Sequence, residues 1–198
     1  MSDAKTIKAY DTHAADYARR FAALKVGKHL QMFMEALPAG GRALDLGCGP
    51  GNTSVMLMQA GFEVEATDAS AAMVEVAQSH NVAARQERFD ELSAQAAFDG
   101  VWANFSLLHA PRADLDRHLA AIARALRPQG VFHIGMKTGD GAARDRLDRA
   151  YTYYDIGDLR DRLRRAGFEV LSERKGEDLG LAGDVEPWVV MLARKSHG

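Results

Sequence analysis

A glycine-rich turn is the part of this sequence whose residue types and spacing are best suited to chemistry. Residues 43–53 read ALDLGCGPGNT, with glycine at every second position from Gly47 to Gly51. Because glycine lacks Cβ, such a turn can adopt positive φ and let a ligand approach the backbone closely. A helix predicted to begin at Thr53 would direct unpaired N–H groups to the same place. The turn therefore predicts a ligand site, and the alternative is a tight strand-to-helix connection without a ligand.

Two details of the turn restrict the ligand. The dinucleotide-binding pattern needs glycine at its first, third and sixth positions, and the sixth position counted from Gly47 is Asn52. Asp45 lies two residues before Gly47, where it would repel a pyrophosphate but attract the cationic amino group of an amino-acid-like ligand. The sequence thus favours a ligand that is cationic near the strand end and argues against NAD.

Short apolar strands alternate with amphipathic helices on both sides of this turn. The pattern predicts strands at 42–46, 62–67, 82–84, 98–104 and 131–136, and helices at 53–60, 71–79 and 112–126. The last of these helices is predicted to stop at Pro128-Gln129-Gly130. Alternation of this kind predicts a doubly wound α/β fold with a mostly parallel sheet that is covered on both faces.

The flanking segments complete this architecture. Apolar residues recur three or four apart between Lys5 and Leu37 and predict N-terminal helices. A last helix after Leu159, followed by strands at 168–173 and 188–193, predicts an antiparallel hairpin joined by a polar loop at the sheet edge. We expect a single domain, with N-terminal cap helices (1–40), a cofactor-binding core (41–136), an acceptor-side insert (137–155) and the last helix with the hairpin (156–198).

The motif Asp45-x-Gly47-x-Gly49-x-Gly51 resembles the first motif of the class I S-adenosylmethionine-dependent methyltransferases, and in particular of small bacterial type-11-like domains. Later segments are similar in order and spacing, namely Asp68 at the end of the second strand, FDEL at 89–92, the fourth strand with its exit at 98–109, and LRPQGV at 126–131. The resemblance implies a Rossmann-like fold of seven strands, S-adenosylmethionine as cofactor and S-adenosylhomocysteine as product. It also implies cofactor contacts at Tyr10, Tyr17, Asp45, Gly47, Cys48, Gly49, Asp68, Ala69, Met73, Phe89, Asp90, Asn104 and Phe105.

Several of these positions have a simpler interpretation. Asp68 could be an N-cap of the following helix, and Asp90 could be a solvated loop acid. Cys48 suits a place between glycines as a small side chain more than as a nucleophile. Tyr10 and Tyr17 lie on one helical face, where they could contact the cofactor or belong to the core.

The methyl acceptor is expected beyond the carboxyl ends of the fourth and fifth strands, where open α/β sheets bind ligands. Candidates after these strands are Asn104, Ser106, His109, Lys137 and Asp140. His109 has a pKa range suited to a general base, and a packing role is its alternative.

The insert at 137–155 follows the fifth strand. Its tyrosines, including Tyr154, and its cations Lys137, Arg144 and Arg149 would suit a pocket for an aromatic or anionic acceptor. The alternative is a surface loop whose tyrosines pack on the N-terminal helices. The weak catalytic candidates are therefore His109, Lys137 and Tyr154, and a general base is needed only if the acceptor must lose a proton.

Composition limits the remaining choices. The 198 residues include 25 Lys and Arg against 27 Asp and Glu, a balance that argues against a nucleic-acid partner. A single cysteine cannot form an internal disulfide, and the first 21 residues are too polar for a secretory signal. We therefore expect a cytoplasmic protein without a membrane span or a metal.

The sequence thus predicts methyl transfer from S-adenosylmethionine to an O, N or S atom of a small molecule. The alternatives are a tRNA or protein methyltransferase, and a protein that binds the cofactor without turnover. The sequence leaves the oligomeric state open.

Overall fold

One seven-stranded sheet and a small two-stranded sheet organise the chain. The computed structural model describes residues 3–21, 26–179, 183 and 185–196, so the remaining parts of the predicted cap-helix and hairpin segments lie outside the described residues. The strands are β1 Arg42–Leu46, β2 Glu63–Asp68, β3 Ala83–Gln86, β4 Phe98–Asn104, β5 Leu126–Lys137, β6 Ala142–Arg144, β7 Ala150–Thr152, β8 Phe168–Leu179 and β9 Val185–Lys195.

The large sheet has the order β3-β2-β1-β4-β5-β9-β8. Its first five strands pair in parallel, and β9 runs antiparallel to both β5 and β8. The predicted doubly wound, mostly parallel sheet with a C-terminal antiparallel hairpin is confirmed. The strand order reverses between β1 and β4, and this switch point is where such folds form a ligand crevice.

Helices cover both faces of the large sheet because its strands are apolar on both sides. The helices are α1 Ala4–Phe21, α2 Lys28–Ala36, α3 Asn52–Gln59, α4 Ala71–Ser79, α5 Leu115–Ala125 and α6 Ile156–Arg165. In β4, Val101 and Ala103 belong to the core beneath α5 and α6, whereas Trp102 belongs to the core beneath α2 and α3. None of the described helices has the length and apolar character needed to cross a membrane.

The junction of α5 and β5 differs from the prediction. The helix ends at Ala125, and Pro128-Gln129-Gly130 lies within β5 instead of ending the helix. Leu126 is already extended and pairs with Phe98, and a register shift then absorbs the Pro-Gln-Gly segment before Val131 pairs with Gly100. Strand pairing, which a local stop signal does not report, therefore fixes this helix end.

The hairpin strands β8 and β9 are also longer than predicted. The predicted loop residues 174–179 continue β8, although most of them are polar. The indole of Trp188 lies over Gly176, where a Cβ would be 2.3 Å from the ring, and its Nε1 donates to Asp178 Oδ2 at 2.8 Å. Cross-strand packing on glycine thus extends a strand that lacks an apolar pattern.

Candidate active site

A cavity of about 270 Å³ lies at the carboxyl ends of β1, β2 and β4, with α1 forming its opposite wall. Every position predicted to contact the cofactor lines it except Asp90, and His109 and Ser106 line it as well. The lining residues that the sequence analysis missed are Asp3, Thr6, Ile7, Pro50, Asn52, Thr53, Ser70 and Trp102.

The glycine-rich turn forms the floor of the cavity. Gly47 has φ +78°, and a Cβ there would lie 2.3 Å from Ser106 Cβ, so only glycine fits without displacing the exit of β4. The N–H groups of Gly47 and Cys48 both donate to Thr67 O, at 2.8 and 3.0 Å. The turn is therefore fixed to the end of β2 before any ligand enters.

Asp45 is a buried carboxylate beneath this turn. It is 3% exposed, and its Oδ2 accepts a hydrogen bond of 2.7 Å from Ser54 Oγ. Burial raises the pKa of Asp45 to about 7, with a further increase from the charge of Asp68 and an opposing effect of the Ser54 hydrogen bond. A cation that enters the cavity would favour the ionised carboxylate.

Asp68 ends β2 and joins two segments of the site. Its Oδ2 accepts from Gly49 N–H at 2.8 Å, and its Oδ1 accepts from Ser70 N–H at 2.9 Å. The N-cap of α4 is Ser70, whose Oγ accepts from Met73 N–H at 3.1 Å, so the helix-cap alternative for Asp68 is wrong. Burial raises the pKa of Asp68, and the two backbone hydrogen bonds oppose that rise. Each oxygen keeps a second lone pair for a ligand.

Cys48 is a buried thiol between the two glycines. Burial, together with the charges of Asp45 and Asp68, raises the pKa of the thiol, so it stays protonated and is a poor nucleophile. Its Sγ donates to Gly49 O at 3.4 Å. These observations favour the interpretation of Cys48 as a small packing residue.

A hydrogen-bonded chain connects α1 with the residues after β4. Tyr10 O–H lies 2.8 Å from His109 Nε2, and His109 Nδ1 lies 2.7 Å from Ala150 O. Since a carbonyl only accepts, Nδ1 carries the proton, and Nε2 accepts from Tyr10. Burial lowers the pKa of His109 to about 4. Because this value is well below 7, the ring is neutral at pH 7, with both nitrogens engaged. Arg149 Nη1 extends the chain by donating to the Tyr10 oxygen at 3.3 Å.

The N-terminal half of α1 is held on the site by further polar contacts. Ala150 N–H donates to Thr6 Oγ1 at 2.8 Å, and Ser70 Oγ donates to Asp11 Oδ1 at 2.6 Å. Asp3 forms a two-point ion pair with Arg144 at 2.9 and 3.0 Å. The cavity-lining residues of α1 are spaced three, four and seven positions apart, as expected for one face of a helix. Extending this spacing from Tyr10 toward the N-terminus could have predicted Thr6 and Ile7.

The exit of β4 has an uncommon backbone. Phe105 has φ +55°, and its N–H donates to Gly135 O at 3.0 Å. Positive φ at an aromatic residue is strained, and such strain tends to occur at ligand sites. Ser106 Oγ donates to Leu46 O at 2.7 Å, which ties this exit to the end of β1.

The structure places several predicted residues away from the cavity. Tyr154 is fully buried in the core, with the guanidinium of Arg112 over its ring at 4.4 Å, so its prediction as an acceptor-facing residue is wrong. Lys137 Nζ pairs with Glu186 and lies 3.6 Å from the centroid of Tyr151. Lys137 and Asp140 are not among the described residues that line the cavity.

Asp90 is the predicted cofactor position that does not line the cavity. Its Oδ1 accepts from Arg88 Nε at 3.2 Å. Burial raises the pKa of Asp90, but the hydrogen bonds and the charge of Arg88 outweigh burial, so the pKa is lowered. The preceding residue, Phe89, lines the cavity instead. In this conformation Asp90 is therefore a loop acid, which was the alternative to a cofactor contact.

The cavity has a negative electrostatic character. Among its described lining residues the charged side chains are Asp3, Asp45 and Asp68, and neither lysine nor arginine is present. Asp3 is neutralised by Arg144, which leaves Asp45 and Asp68 on either side of the glycine turn. The cavity is therefore suited to a ligand with cationic and hydroxyl groups.

Comparison with known proteins agrees with this geometry. Residues 43–130 match the family described as "Methyltransferase domain". Over these residues the chain is a methyltransferase domain, of the class I S-adenosylmethionine-dependent type that its motifs resemble. The matched segment runs from the strand before the glycine turn to the bulge in β5, and so includes the turn and Asp68.

Curated relatives and a solved structure resemble this methyltransferase domain. The malonyl-[acyl-carrier protein] O-methyltransferase of Pseudescherichia vulneris is 37% identical over 132 residues, which are 64% of this chain and 48% of that protein. The ubiquinone biosynthesis O-methyltransferase of Xanthomonas axonopodis pv. citri is 35% identical over 105 residues, which are 49% of this chain and 43% of that protein. The chain thus spans about half the length of the curated relatives it matches.

The structural likeness extends over nearly the whole chain. The Burkholderia thailandensis 1,6-didemethyltoxoflavin-N1-methyltransferase, solved with 1,6-didemethyltoxoflavin and S-adenosylhomocysteine, has a TM-score of 0.75 and 24% identity. The match covers 98% of this chain and 88% of that structure. At this identity the likeness supports the fold of the methyltransferase domain.

Proposed function

We propose that this domain binds S-adenosylmethionine in the cavity and transfers its methyl group to a small-molecule acceptor. The observation that carries the proposal is the pair of acids Asp45 and Asp68, at the ends of neighbouring parallel strands on either side of the glycine turn. Cationic amino and sulfonium groups are attracted to such a cavity, and a carboxylate can accept from both hydroxyls of a ribose.

The residues present fit this cofactor. Asp45 would hold the amino group near Gly47, and Asp68 would hold the ribose hydroxyls. Met73 and Phe89 are the apolar lining residues on that side, suited to the faces of an adenine. Bound S-adenosylmethionine supplies a methyl group on a cationic sulfur, which is already activated for in-line attack by a nucleophile.

The protein's part in the reaction is to position and to exclude water. α1 closes the cavity through Tyr10 and Tyr17, whose rings meet edge to face at 5.8 Å. Because His109 is neutral and accepts from Tyr10, we assign it to holding α1 and not to proton abstraction. Water exclusion and orientation are the contributions that such a site can make to a displacement reaction.

The relatives support a small acceptor without deciding its atom, since two are O-methyltransferases and the solved structure is an N1-methyltransferase. Methyl-labelled S-adenosylmethionine should therefore be incubated with the protein and, in parallel, with a small-metabolite extract, total tRNA and total protein. We expect label in the metabolite fraction, and Asp68→Ala as the matched control should remove it. Label only in tRNA or protein would contradict the small-molecule acceptor, and calorimetric binding without any transfer would contradict turnover.

A further inference from the structure

A buried imidazole on β5 holds the side chain at the exit of β4. His133 is 2% exposed, and its Nε2 lies 3.0 Å from Asn104 Oδ1. Its ring stacks on the indole of Trp102 with centroids 3.6 Å apart and planes inclined by 11°. Burial holds the pKa of His133 well below its usual value, so the ring is neutral and carries one N–H.

The backbone beside this contact indicates which end of the Asn104 amide faces it. A Cβ on Gly135 would lie 2.6 Å from Asn104 Oδ1, so a Cα–H of Gly135 points at that atom. An oxygen is favourable against a C–H, whereas an amino group would direct hydrogens against it. Gly135 therefore selects the amide oxygen, and His133 Nε2, which lies beside that oxygen, is the donor.

The opposite end of the amide is left for a ligand. Asn104 lines the cavity and is exposed, and within the described part of the chain its Nδ2 makes no hydrogen bond. With Oδ1 turned toward β5, the side chain offers the cavity N–H donors and no acceptor. Register places Asn104 opposite Gly135 and Trp102 opposite Asp45, so the amide lies at the switch point beside the glycine turn.

We infer that His133 is a positioning residue that fixes the Asn104 amide as a donor, so that the site selects a methyl acceptor presenting an oxygen lone pair, such as a carboxylate or phenolate, over an ammonium. The inference rests on the proposed function and deepens it by naming the acceptor class. An ammonium group would leave the Nδ2 donors unpaired and opposed to other donors, whereas an oxyanion accepts from them.

The tautomer tests the arrangement in the wild-type protein without any ligand. Long-range ¹H–¹⁵N NMR of the imidazole should show the His133 proton on Nε2, with Nδ1 unprotonated. A proton on Nδ1 instead would overturn the inference, because Nε2 would then accept from Asn104 and turn its oxygen toward the cavity.

Two matched probes then test the selectivity, 3-phenylpropanoate and 3-phenylpropylammonium, each added to protein saturated with S-adenosylhomocysteine. We expect the carboxylate to shift the Asn104 side-chain amide resonances and the ammonium to leave them in place. Larger shifts with the ammonium, or none with either probe, would overturn the inference. Failure of S-adenosylhomocysteine to bind in calorimetry would instead reject the proposed function, while the tautomer could still be read.

Substitutions separate positioning from folding. His133→Phe keeps an aromatic ring on Trp102 but removes the donor, and loss of one hydrogen bond should weaken binding of the carboxylate probe about fivefold. His133→Gln restores an N–H near the Nε2 position and should recover the affinity, with the Kd of S-adenosylhomocysteine within about twofold throughout. His29→Phe is the matched control, because His29 lies beside the same stack, 6.4 Å from His133 between ring centroids. Equal loss in His29→Phe, or no recovery in His133→Gln, would mean that the stack acts only through packing.

Discussion

Proton release should accompany cofactor binding, because Asp45 has a pKa of about 7 in the ligand-free protein. Below that pH the carboxyl group is mostly protonated and cannot pair with an ammonium group. Binding of the cofactor's amino group requires the ionised form, so affinity should rise with pH and level off above about pH 7. From pH 5 to pH 7 this linkage predicts an increase of roughly 50-fold in the association constant.

Calorimetry with S-adenosylhomocysteine can measure this increase. An α-amino group has a pKa of about 7.7–8.0, so the ligand's own amine stays charged across this range. At pH 6, binding should release roughly 0.9 proton, which is obtained by comparing buffers of different ionisation enthalpy. His109, with its pKa of about 4, adds little over this interval.

Asp45→Asn is the variant that isolates the carboxyl group. It should weaken binding at pH 7 and above, and it should remove most of the pH dependence. Any slope that persists would belong to Asp68, whose pKa is also raised by burial. A wild-type Kd that stays constant between pH 5 and pH 7 would refute the assignment of Asp45 as the partner of the amino group.

The sign reverses for the stability of the ligand-free protein. The pKa of Asp45 is higher in the folded chain than its unfolded value of about 3.9, so folding favours the protonated carboxyl group. The free energy of unfolding should therefore fall as the pH rises from about 4 to about 7, and Asp45→Asn should be the more stable protein at pH 8. Thermal unfolding of the wild type and of Asp45→Asn at pH 5 and pH 8 measures this pH dependence of stability, which is opposite in sign to that of binding.

Three further substitutions test single residues. Asp68→Ala removes the acceptor for two hydroxyls, and hydrogen bonds to a charged group contribute about 1.5–3 kcal/mol each. Calorimetry should therefore show binding of S-adenosylhomocysteine at least tenfold weaker, and an unchanged Kd would contradict a ligand role. Tyr154→Phe removes a buried hydroxyl that has no partner within the described residues, so the melting temperature should stay or rise and methyl transfer should persist; loss of transfer would restore Tyr154 to the acceptor site. Tyr10→Phe removes the hydroxyl that bonds His109 Nε2 and an N–H of Arg149. Urea titration should show a loss of about 1–2 kcal/mol in the free energy of unfolding, and no loss would mean that the hydrogen-bonded chain does not hold α1.

The cofactor side of the site was predictable because its geometry is local. A strand, a glycine turn and a helix N-terminus are adjacent in the chain, and the positive φ of Gly47 follows from the residue type. Asp68 was found through the resemblance to the methyltransferase family, and its place fits the topology because parallel strands bring their carboxyl ends to one edge of the sheet. Its exclusion as a helix cap needed the structure, in which Ser70 is the N-cap of α4.

Residues far apart in the chain were harder to predict. Thr6 enters the site because its hydroxyl meets Ala150 from the small β6–β7 sheet, a contact over 144 positions that no local pattern reports. The same cause explains Tyr154, which has the composition of a pocket residue but lies under Arg112 in the core. His133 was passed over as part of an apolar strand, and only register shows that it reaches Asn104.

The β6–β7 segment acts on the site through α1. Two of its cations are paired with acids, since Arg149 binds Asp145 at 2.6 Å and Arg144 binds Asp3, so these two are not free for an anionic acceptor. Both arginines also join the segment to the N-terminal residues, since Arg144 binds Asp3 just before α1 and Arg149 donates to the Tyr10 hydroxyl within α1. The described lining of the cavity includes the inner face of α1 but none of the residues of β6 or β7. A change in this segment should therefore alter acceptor binding by moving α1, whereas the choice between an oxygen and an ammonium lies with Asn104 on the opposite wall.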